Sequence, residues 1–160
     1  MGEVVIGALS LNNFGGRLQW RGRVVASRTT QATAPAGDGP GSIGGSCVVV
    51  LATNAPLAPC VLRRIARRAW AGVARAGSSF GDTSGDVALA FALPHRGGLC
   101  PDELRWKLPA EDANALFLAA ADAAEESIWD CLLAAGDFTS LDGRLTPGLR
   151  PKDLLAAAGR

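Results

Sequence analysis

The stretch Ser46-Cys47-Val48-Val49-Val50-Leu51-Ala52-Thr53 decides the fold, because it is an apolar run of strand length that follows a long polar tract directly. That tract, residues 27–45 (SRTTQATAPAGDGPGSIGG), carries almost no core-forming side chains and predicts a flexible linker that reaches the first residue of a buried strand. Gly45 allows backbone dihedrals that other residues avoid, so the hydroxyl of Ser46 can attack the preceding carbonyl. A plain Gly/Ser loop that enters a core strand is the alternative.

Length and composition predict one compact domain. The chain has 160 residues, 48% of them hydrophobic, and a net charge of +1, which allows a sizeable core. The near-neutral balance gives no reason to expect nucleic acid or a membrane as a partner. No apolar run approaches the ~20 residues of a transmembrane helix, and the amino terminus lacks the basic start of a signal peptide.

The cysteines and the single histidine limit the chemistry that is expected. The four cysteines match no metal-ligand spacing and are interpreted as reduced, mostly buried residues of a cytoplasmic protein: Cys47, Cys60, Cys100 and Cys131. A lone histidine argues against most metal sites and against a Ser-His-Asp triad, and His95 fits an ordinary loop residue better than a catalytic one. No metal and no cofactor are expected.

The pattern along the chain predicts strands followed by helices. Strands are expected over residues 4–11, 18–26 and 86–93 in addition to 46–53, with a turn at 12–16. Helices are expected over 59–76 and 112–135. This order indicates an α+β layered domain.

Each predicted helix has one apolar side. On the first, five arginines occupy much of the remaining face, and in a near-neutral chain a solvated face is favoured over a nucleic-acid site: Arg63, Arg64, Arg67, Arg68 and Arg75. On the second, a stripe of apolar residues is expected to face the core, with Glu125-Glu126 beside it towards solvent: Phe117, Ala121, Ala124, Ile128, Cys131 and Leu132.

Two loops of small residues each lead directly into an apolar strand, one ending at Ser46 and the other at Ser84-Gly85-Asp86. If the two strands are parallel neighbours, both loops lie at the same edge of the sheet. A hydroxyl nucleophile needs a proton acceptor, an orienting partner and donors for the oxyanion. Ser84 with Asp86 and the amide of Asn13 are of the right types, and a freed α-amino group of Ser46 could also serve as the base. Taken singly, Asn13 is more often a turn residue and Asp86 more often a strand-start cap.

These segments resemble the family of self-cleaving N-terminal-nucleophile hydrolases that includes the L-aminopeptidase/D-esterases and β-aminopeptidases. Residues 45–57 (GSCVVVLATNAPL) are similar to the family's segment that begins at the cleavage serine. Asn13-Phe14-Gly15 is similar to its strand-plus-asparagine motif. Ser84-Gly85-Asp86 and the helix with Glu125-Glu126 also fit the family pattern.

The resemblance implies an αββα sandwich of which this chain holds only part. It implies a precursor that cleaves itself between Gly45 and Ser46, so that residues 1–26 end the larger subunit, 27–45 form the linker and 46–160 form the smaller subunit. Ser46 would attack the amino end of small peptides or related amides. Asn13 would help to hold the oxyanion, and Ser84 and Asp86 would orient the nucleophile and assist proton transfer.

The chain departs from the family pattern in three respects. It contains no tyrosine, it reads Thr53-Asn54-Ala55 where the family usually has an aspartate, and the long segment that precedes the first strand in the family is expected to be missing. The resemblance therefore implies, besides a small peptide or amide substrate, either a homo-oligomer or a complementary amino-terminal segment as partner. A catalytically silent domain that serves only in assembly is the alternative function.

Overall fold

The computed structural model describes residues 4–27, 45–82, 84–93, 110–143 and 145–158. The predicted linker over 27–45 lies outside the described residues except at its two ends, and so do His95 and Cys100. The elements in chain order are β1 (Ile6–Asn13), β2 (Arg17–Trp20), β3 (Arg23–Ser27), β4 (Ser46–Thr53), α1 (Pro59–Arg75), β5 (Val87–Ala92), α2 (Ala110–Ala134), β6 (Phe138–Thr139), β7 (Leu145–Thr146) and α3 (Pro151–Ala158).

A three-stranded sheet in the order β1-β4-β5 organises the molecule. The central strand β4 runs antiparallel to β1 and parallel to β5. Alternate residues of β4 are fully buried because their side chains point to the helical layer: Cys47, Val49, Leu51 and Thr53. The predicted strand at Ser46–Thr53 and its parallel neighbour are confirmed, so both small-residue loops do reach the same edge of the sheet.

The helices α1 and α2 cover one face of this sheet, α2 over β1 and α1 over β5. Pro59 stands in the first turn of α1, where its missing N–H costs nothing. The two helices approach closely at Gly72, where an added Cβ would lie 2.3 Å from the carbonyl oxygen of Ala121. Ala124 and Ile128 of the predicted α2 stripe are fully buried. The predicted α+β fold is therefore confirmed.

Arginines of α1 contact the helix α2 as well as facing solvent. The guanidinium carbons of Arg64 and Arg68 lie 4.6 and 4.5 Å from the centre of the Phe117 ring, within the range of a cation–π contact. Arg75 forms an ion pair with Asp122 of α2 at 2.6 Å. The arginine face of α1 thus has a structural role in joining the two helices.

The first part of the chain differs from the prediction in two ways. The first strand continues to Asn13, so Asn12 and Asn13 are strand residues and not part of a turn. The predicted single strand over 18–26 is the hairpin β2–β3. Its turn residues Arg21 and Gly22 have φ values of 50° and 75°, as a two-residue type I′ turn requires, and the sequence Arg-Gly is a weak signal for that turn.

The hairpin is attached to the helical layer through aromatic contacts. The rings of Trp20 and Trp129 meet edge to face with centroids 4.9 Å apart. The guanidinium group of Arg21 lies over the Trp20 ring. The helix α3 packs against β2 and β3.

Cys60 is exposed in the first turn of α1, so the interpretation of the cysteines as mostly buried is wrong for that residue. Among the described helices, none is long and apolar enough to span a membrane.

The face of the sheet opposite the helices is apolar and exposed. We call it the open face and define it by seven residues that lie side by side in the strand register: Leu9, Leu11, Val48, Val50, Val87, Leu89 and Phe91. Leu9 and Leu11 are 75% and 73% exposed, so β1 is buried on one face only and not on both. An apolar patch of this kind marks a surface that a further layer can cover.

Candidate active site

Ser46 and Asn13 form a cross-strand pair at the end of the sheet. Residues that are directly opposite in an antiparallel pair project their side chains to the same face, here the open face. Gly45 precedes this pair with a φ of 134°, and a Cβ at that position would lie 2.0 Å from the carbonyl oxygen of Asn13. Only glycine fits there, so the backbone on the amino side of Ser46 is pressed against the end of β1.

The second loop meets Ser46 from the other neighbouring strand. The backbone N–H of Gly85 donates a hydrogen bond to Oγ of Ser46 at 3.0 Å. The carboxylate of Asp86 accepts two hydrogen bonds, one at Oδ1 from the N–H of Cys47 at 2.7 Å and one at Oδ2 from the hydroxyl of Ser84 at 2.6 Å. Asp86 therefore clamps the backbone beside Ser46 to the loop that carries Ser84.

All four residues that the sequence nominated lie at this one edge of the sheet. A backbone N–H that points at a hydroxyl oxygen stabilises negative charge as it develops on that oxygen. The carboxylate holds both the strand that begins at Ser46 and the second serine, an arrangement that can orient a hydroxyl nucleophile. Gly85 was not nominated as a donor, because a main-chain N–H leaves no signal in the side-chain pattern. The catalytic roles of Ser46, Ser84, Asp86 and Asn13 stay predictions.

Cys47 lies next to Ser46 but on the opposite, helix-facing side of the sheet. Its side chain is fully buried, and its thiol donates to Oδ1 of Asn12 at 3.2 Å, while the amide of Asn12 donates to Oγ of Ser10 at 2.8 Å. Burial raises the pKa of the Cys47 thiol to about 11, and the Asp86 carboxylate and Cys131 add to the rise. At neutral pH this cysteine is a protonated donor and not a nucleophilic thiolate, which leaves the hydroxyl of Ser46 as the candidate nucleophile.

The raised pKa of Cys47 predicts that the folded chain loses stability in alkaline solution. Between the ordinary thiol pKa of 9.0 and about 11, the folded chain keeps a proton that the unfolded chain has released. The free energy of unfolding therefore falls as pH rises through this window, by on the order of 2 kcal/mol. We expect Cys47→Ala to remove most of this decline in urea denaturation measured below pH 9 and near pH 11.

The background for that measurement is favourable because the chain has no tyrosine and two lysines, Lys107 and Lys152. The reference chain and the two cysteine variants would all carry Ser46→Ala. This substitution removes the hydroxyl that would otherwise cleave the chain during the measurement. Cys60→Ala is the matched control, since its thiol is exposed and its removal should leave the alkaline decline unchanged. An identical decline in the Cys47→Ala protein would contradict the assignment.

Asn54 lies in the stretch Thr53-Asn54-Ala55, where the resemblance leads one to expect an aspartate, and it has a structural contact. Its Oδ1 accepts a hydrogen bond from the N–H of Val5 at 2.8 Å, at the opposite end of the sheet from Ser46. Asparagine and aspartate both supply such an oxygen, so an aspartate at position 54 could accept the same hydrogen bond. Within the described ranges, no group of three histidine, cysteine, aspartate or glutamate side chains could hold a metal ion.

Comparison with known proteins gives the family. A family model described as "Peptidase family S58" matches residues 1–146. The chain belongs to peptidase family S58. Among curated proteins, it is 35% identical over 123 residues to the β-peptidyl aminopeptidase BapA of Sphingosinicella microcystinivorans, a match that covers 73% of this chain and 30% of that protein. The resemblance inferred from the sequence is thereby confirmed.

Solved structures that are similar to this chain have the same fold. A β-aminopeptidase from Burkholderia sp. is 36% identical with a TM-score of 0.77, and the match covers 99% of this chain and 45% of that one. The L-aminopeptidase D-Ala-esterase/amidase of Ochrobactrum anthropi, described as a variant of the Ntn hydrolase fold, is 25% identical with a TM-score of 0.64 over 96% of this chain and 47% of that one. The S58 chain thus spans less than half the length of these relatives.

Proposed function

We propose that this S58 chain carries the nucleophile of a self-cleaving serine aminopeptidase or amidase that acts on the amino end of small peptides or related amides. The observation that carries the proposal is the hydrogen bond from the Gly85 N–H to Oγ of Ser46, directly after Gly45 and beside Ser84 and Asp86. It supplies a donor at the oxygen that would react. We also propose that the protein is located in the cytoplasm.

Self-cleavage would proceed by an N-to-O acyl shift at the Gly45–Ser46 bond. Oγ of Ser46 attacks the carbonyl carbon of Gly45, the C–N bond breaks, and the hydroxyl proton passes to the nitrogen that leaves. Water then hydrolyses the ester between Gly45 and Ser46, which gives a carboxylate on Gly45 and a free α-amino group on Ser46. The restricted backbone at Gly45 supports this step, because it limits the orientations of the scissile carbonyl.

The free chain end would then act on a substrate amide. Oγ of Ser46 attacks the carbonyl carbon, and the α-amino group of the same residue accepts the proton, since an α-amine titrates close to neutral pH, at about 7.7–8.0. The amide of Asn13, on the same face as Ser46, would stabilise the oxyanion. Asp86 would keep the strand beside Ser46 and the Ser84 hydroxyl in place through its two hydrogen bonds.

The experiment that tests the proposal is the intact mass of the purified chain followed over time, together with the sequence of any new amino terminus. We expect two fragments, of which the larger, residues 46–160, begins at Ser46. A chain that stays at full length after long incubation would favour the alternative, a silent domain that keeps the fold and serves only in assembly.

We further propose that an apolar segment, either a complementary amino-terminal piece or a second copy of the chain, covers the open face. The open face and the candidate site are continuous, because Ser46 precedes Val48 and Asn13 follows Leu11 on the same side of the sheet. A layer that packs on these residues would also form a wall of the site. The length that the S58 relatives have beyond the matched part provides material for such a layer.

Without a complementary amino-terminal piece, the chain should self-associate and show little hydrolysis of amino-terminal amides. The reason is the exposed apolar strand surface, which favours association in water. We expect Leu9→Thr with Leu89→Thr to shift the species seen by light scattering towards the monomer. Leu145→Thr is the matched control, because Leu145 is also an exposed strand leucine but lies away from the open face. A monodisperse monomer with full unaided peptidase activity would contradict this proposal.

A further inference from the structure

Phe80 adopts an unusual backbone conformation in the loop that leads to the candidate site. Its φ is 47°, in the left-handed region that bulky residues rarely occupy. Two contacts hold it there. The Phe80 N–H donates to Oγ of Ser78 at 3.2 Å, and its ring meets that of Trp70 on α1 edge to face, with centroids 5.9 Å apart.

The residues before Phe80 are bonded to the segment that follows Asn13. The carbonyl oxygen of Gly15 accepts hydrogen bonds from the N–H and the hydroxyl of Ser79 at 3.3 and 3.2 Å, and the N–H of Arg17 donates to the carbonyl of Gly77 at 3.1 Å. An added Cβ at Gly77 would lie 1.9 Å from the carbonyl oxygen of Arg17. Backbone therefore packs directly on backbone, and this end of the loop has one position relative to β1.

The residues after Phe80 lead to the site. The carbonyl of Gly81 accepts a hydrogen bond from the N–H of Ser84 at 2.8 Å, and the next residue, Gly85, donates to Oγ of Ser46. Phe80 is thus the point at which the chain leaves the contacts with Gly15 and turns towards Ser46. We propose that Phe80 is a positioning residue for the reaction of Ser46: its left-handed backbone and its contact with Trp70 set the place of Gly85 and Asp86.

This inference rests on the proposed function for its effect on a rate, but its structural part can be measured separately. The Gly85 amide resonance in spectra of the uncleaved chain reports the hydrogen bond to Ser46, and Ser46→Ala defines its position when the acceptor is gone. Phe80→Ala removes the ring and keeps the unfavourable φ. Phe80→Gly removes the ring and relieves that φ, and Phe80→Tyr keeps the ring.

We expect the Gly85 resonance in Phe80→Ala to move towards its position in Ser46→Ala, and cleavage between Gly45 and Ser46 to slow at least tenfold. Phe80→Gly should lose less, and Phe80→Tyr should keep both properties. Phe138→Ala is the matched control, an exposed phenylalanine on β6 whose loss should change neither. If Phe80→Ala does not fold, Phe80→Gly and Trp70→Leu are measured in its place, with the same direction expected.

A Gly85 resonance and a cleavage rate unchanged in Phe80→Ala would overturn the inference. A shifted resonance with an unchanged rate would also overturn it, because the loop would then move without effect on Ser46. A wild-type chain that never cleaves would disprove the proposed self-cleavage, and the Gly85 resonance would still decide whether Phe80 positions the loop.

Discussion

Replacing Ser46 by alanine should leave the purified chain as one full-length species of 160 residues, with no fragment after prolonged incubation. The substitution removes the only atom that would attack the Gly45 carbonyl, and it removes the acceptor of the Gly85 hydrogen bond. The fold should survive, because Ser46 is the first residue of β4 and the buried side chains of that strand begin at Cys47. Intact mass measured in parallel with the wild-type chain gives the result.

Gly45→Ala tests the same step from the other side of the bond. Because φ at Gly45 is 134° and an added Cβ would lie 2.0 Å from the carbonyl oxygen of Asn13, the backbone must shift and the scissile carbonyl must move with it. We expect cleavage to slow strongly although the hydroxyl of Ser46 is retained. Gly7→Ala is the matched control on β1, since a Cβ there has no atom within 4 Å.

The same two fragments at the same rate in Ser46→Ala would disprove self-cleavage by this hydroxyl.

The central sheet and the grouping of the site could be predicted from sequence because they depend on strong signals. An apolar run of strand length after a Gly/Ser tract fixes the start of β4 at Ser46, and a second such tract fixes the start of β5. Two strands that begin after similar loops and pair in parallel place Ser46 and Asp86 at one edge. These inferences need only the apolar runs and the loops before them, together with the parallel pairing that the register confirms.

The missed features depend on contacts between residues distant in the sequence. The pair Arg21-Gly22 is only a weak signal for a left-handed turn, and the hairpin that contains it packs on Trp129. The thiol of Cys47 finds its acceptor Asn12 only through the antiparallel register of β1 and β4. The ring of Phe80, which has a left-handed backbone, contacts that of Trp70 on α1. The propensity of a residue describes the backbone conformation that it prefers locally, and at these positions tertiary packing overrides that preference.

Register also explains why the site and the open face are continuous. With a side-chain period of two, Cys47 and Asn12 point to the helices, while Ser46 and Asn13 point to the same side as Leu11 and Val48. A slip of one residue would exchange these sets. The buried helix-facing side chains of β4 thus fix the orientation of Ser46, since they could not be exposed without loss of the core.

Asp86→Asn should slow the reaction of Ser46 by on the order of 10²–10⁴-fold. The carboxylate accepts from the Cys47 N–H at one oxygen and from the Ser84 hydroxyl at the other. An asparagine of the same shape has one acceptor oxygen, so its NH₂ group must face one of these two donors, and the negative charge is lost as well. Either the backbone beside Ser46 or the hydroxyl of Ser84 then loses its partner.

The measurement is the rate of cleavage between Gly45 and Ser46 and, in the assembly that hydrolyses amides, kcat/KM for a small peptide amide. Asp82→Asn is the matched control, because Asp82 is an exposed aspartate of the same loop and its neutralisation changes the loop charge equally. Thermal unfolding of both variants separates a loss of fold from a loss of rate. If Asp86→Asn retains a rate within about twofold of the wild type, the carboxylate does not orient the nucleophile. In that case the Gly85 N–H would be the contact from the described residues of this loop that acts on Ser46 directly.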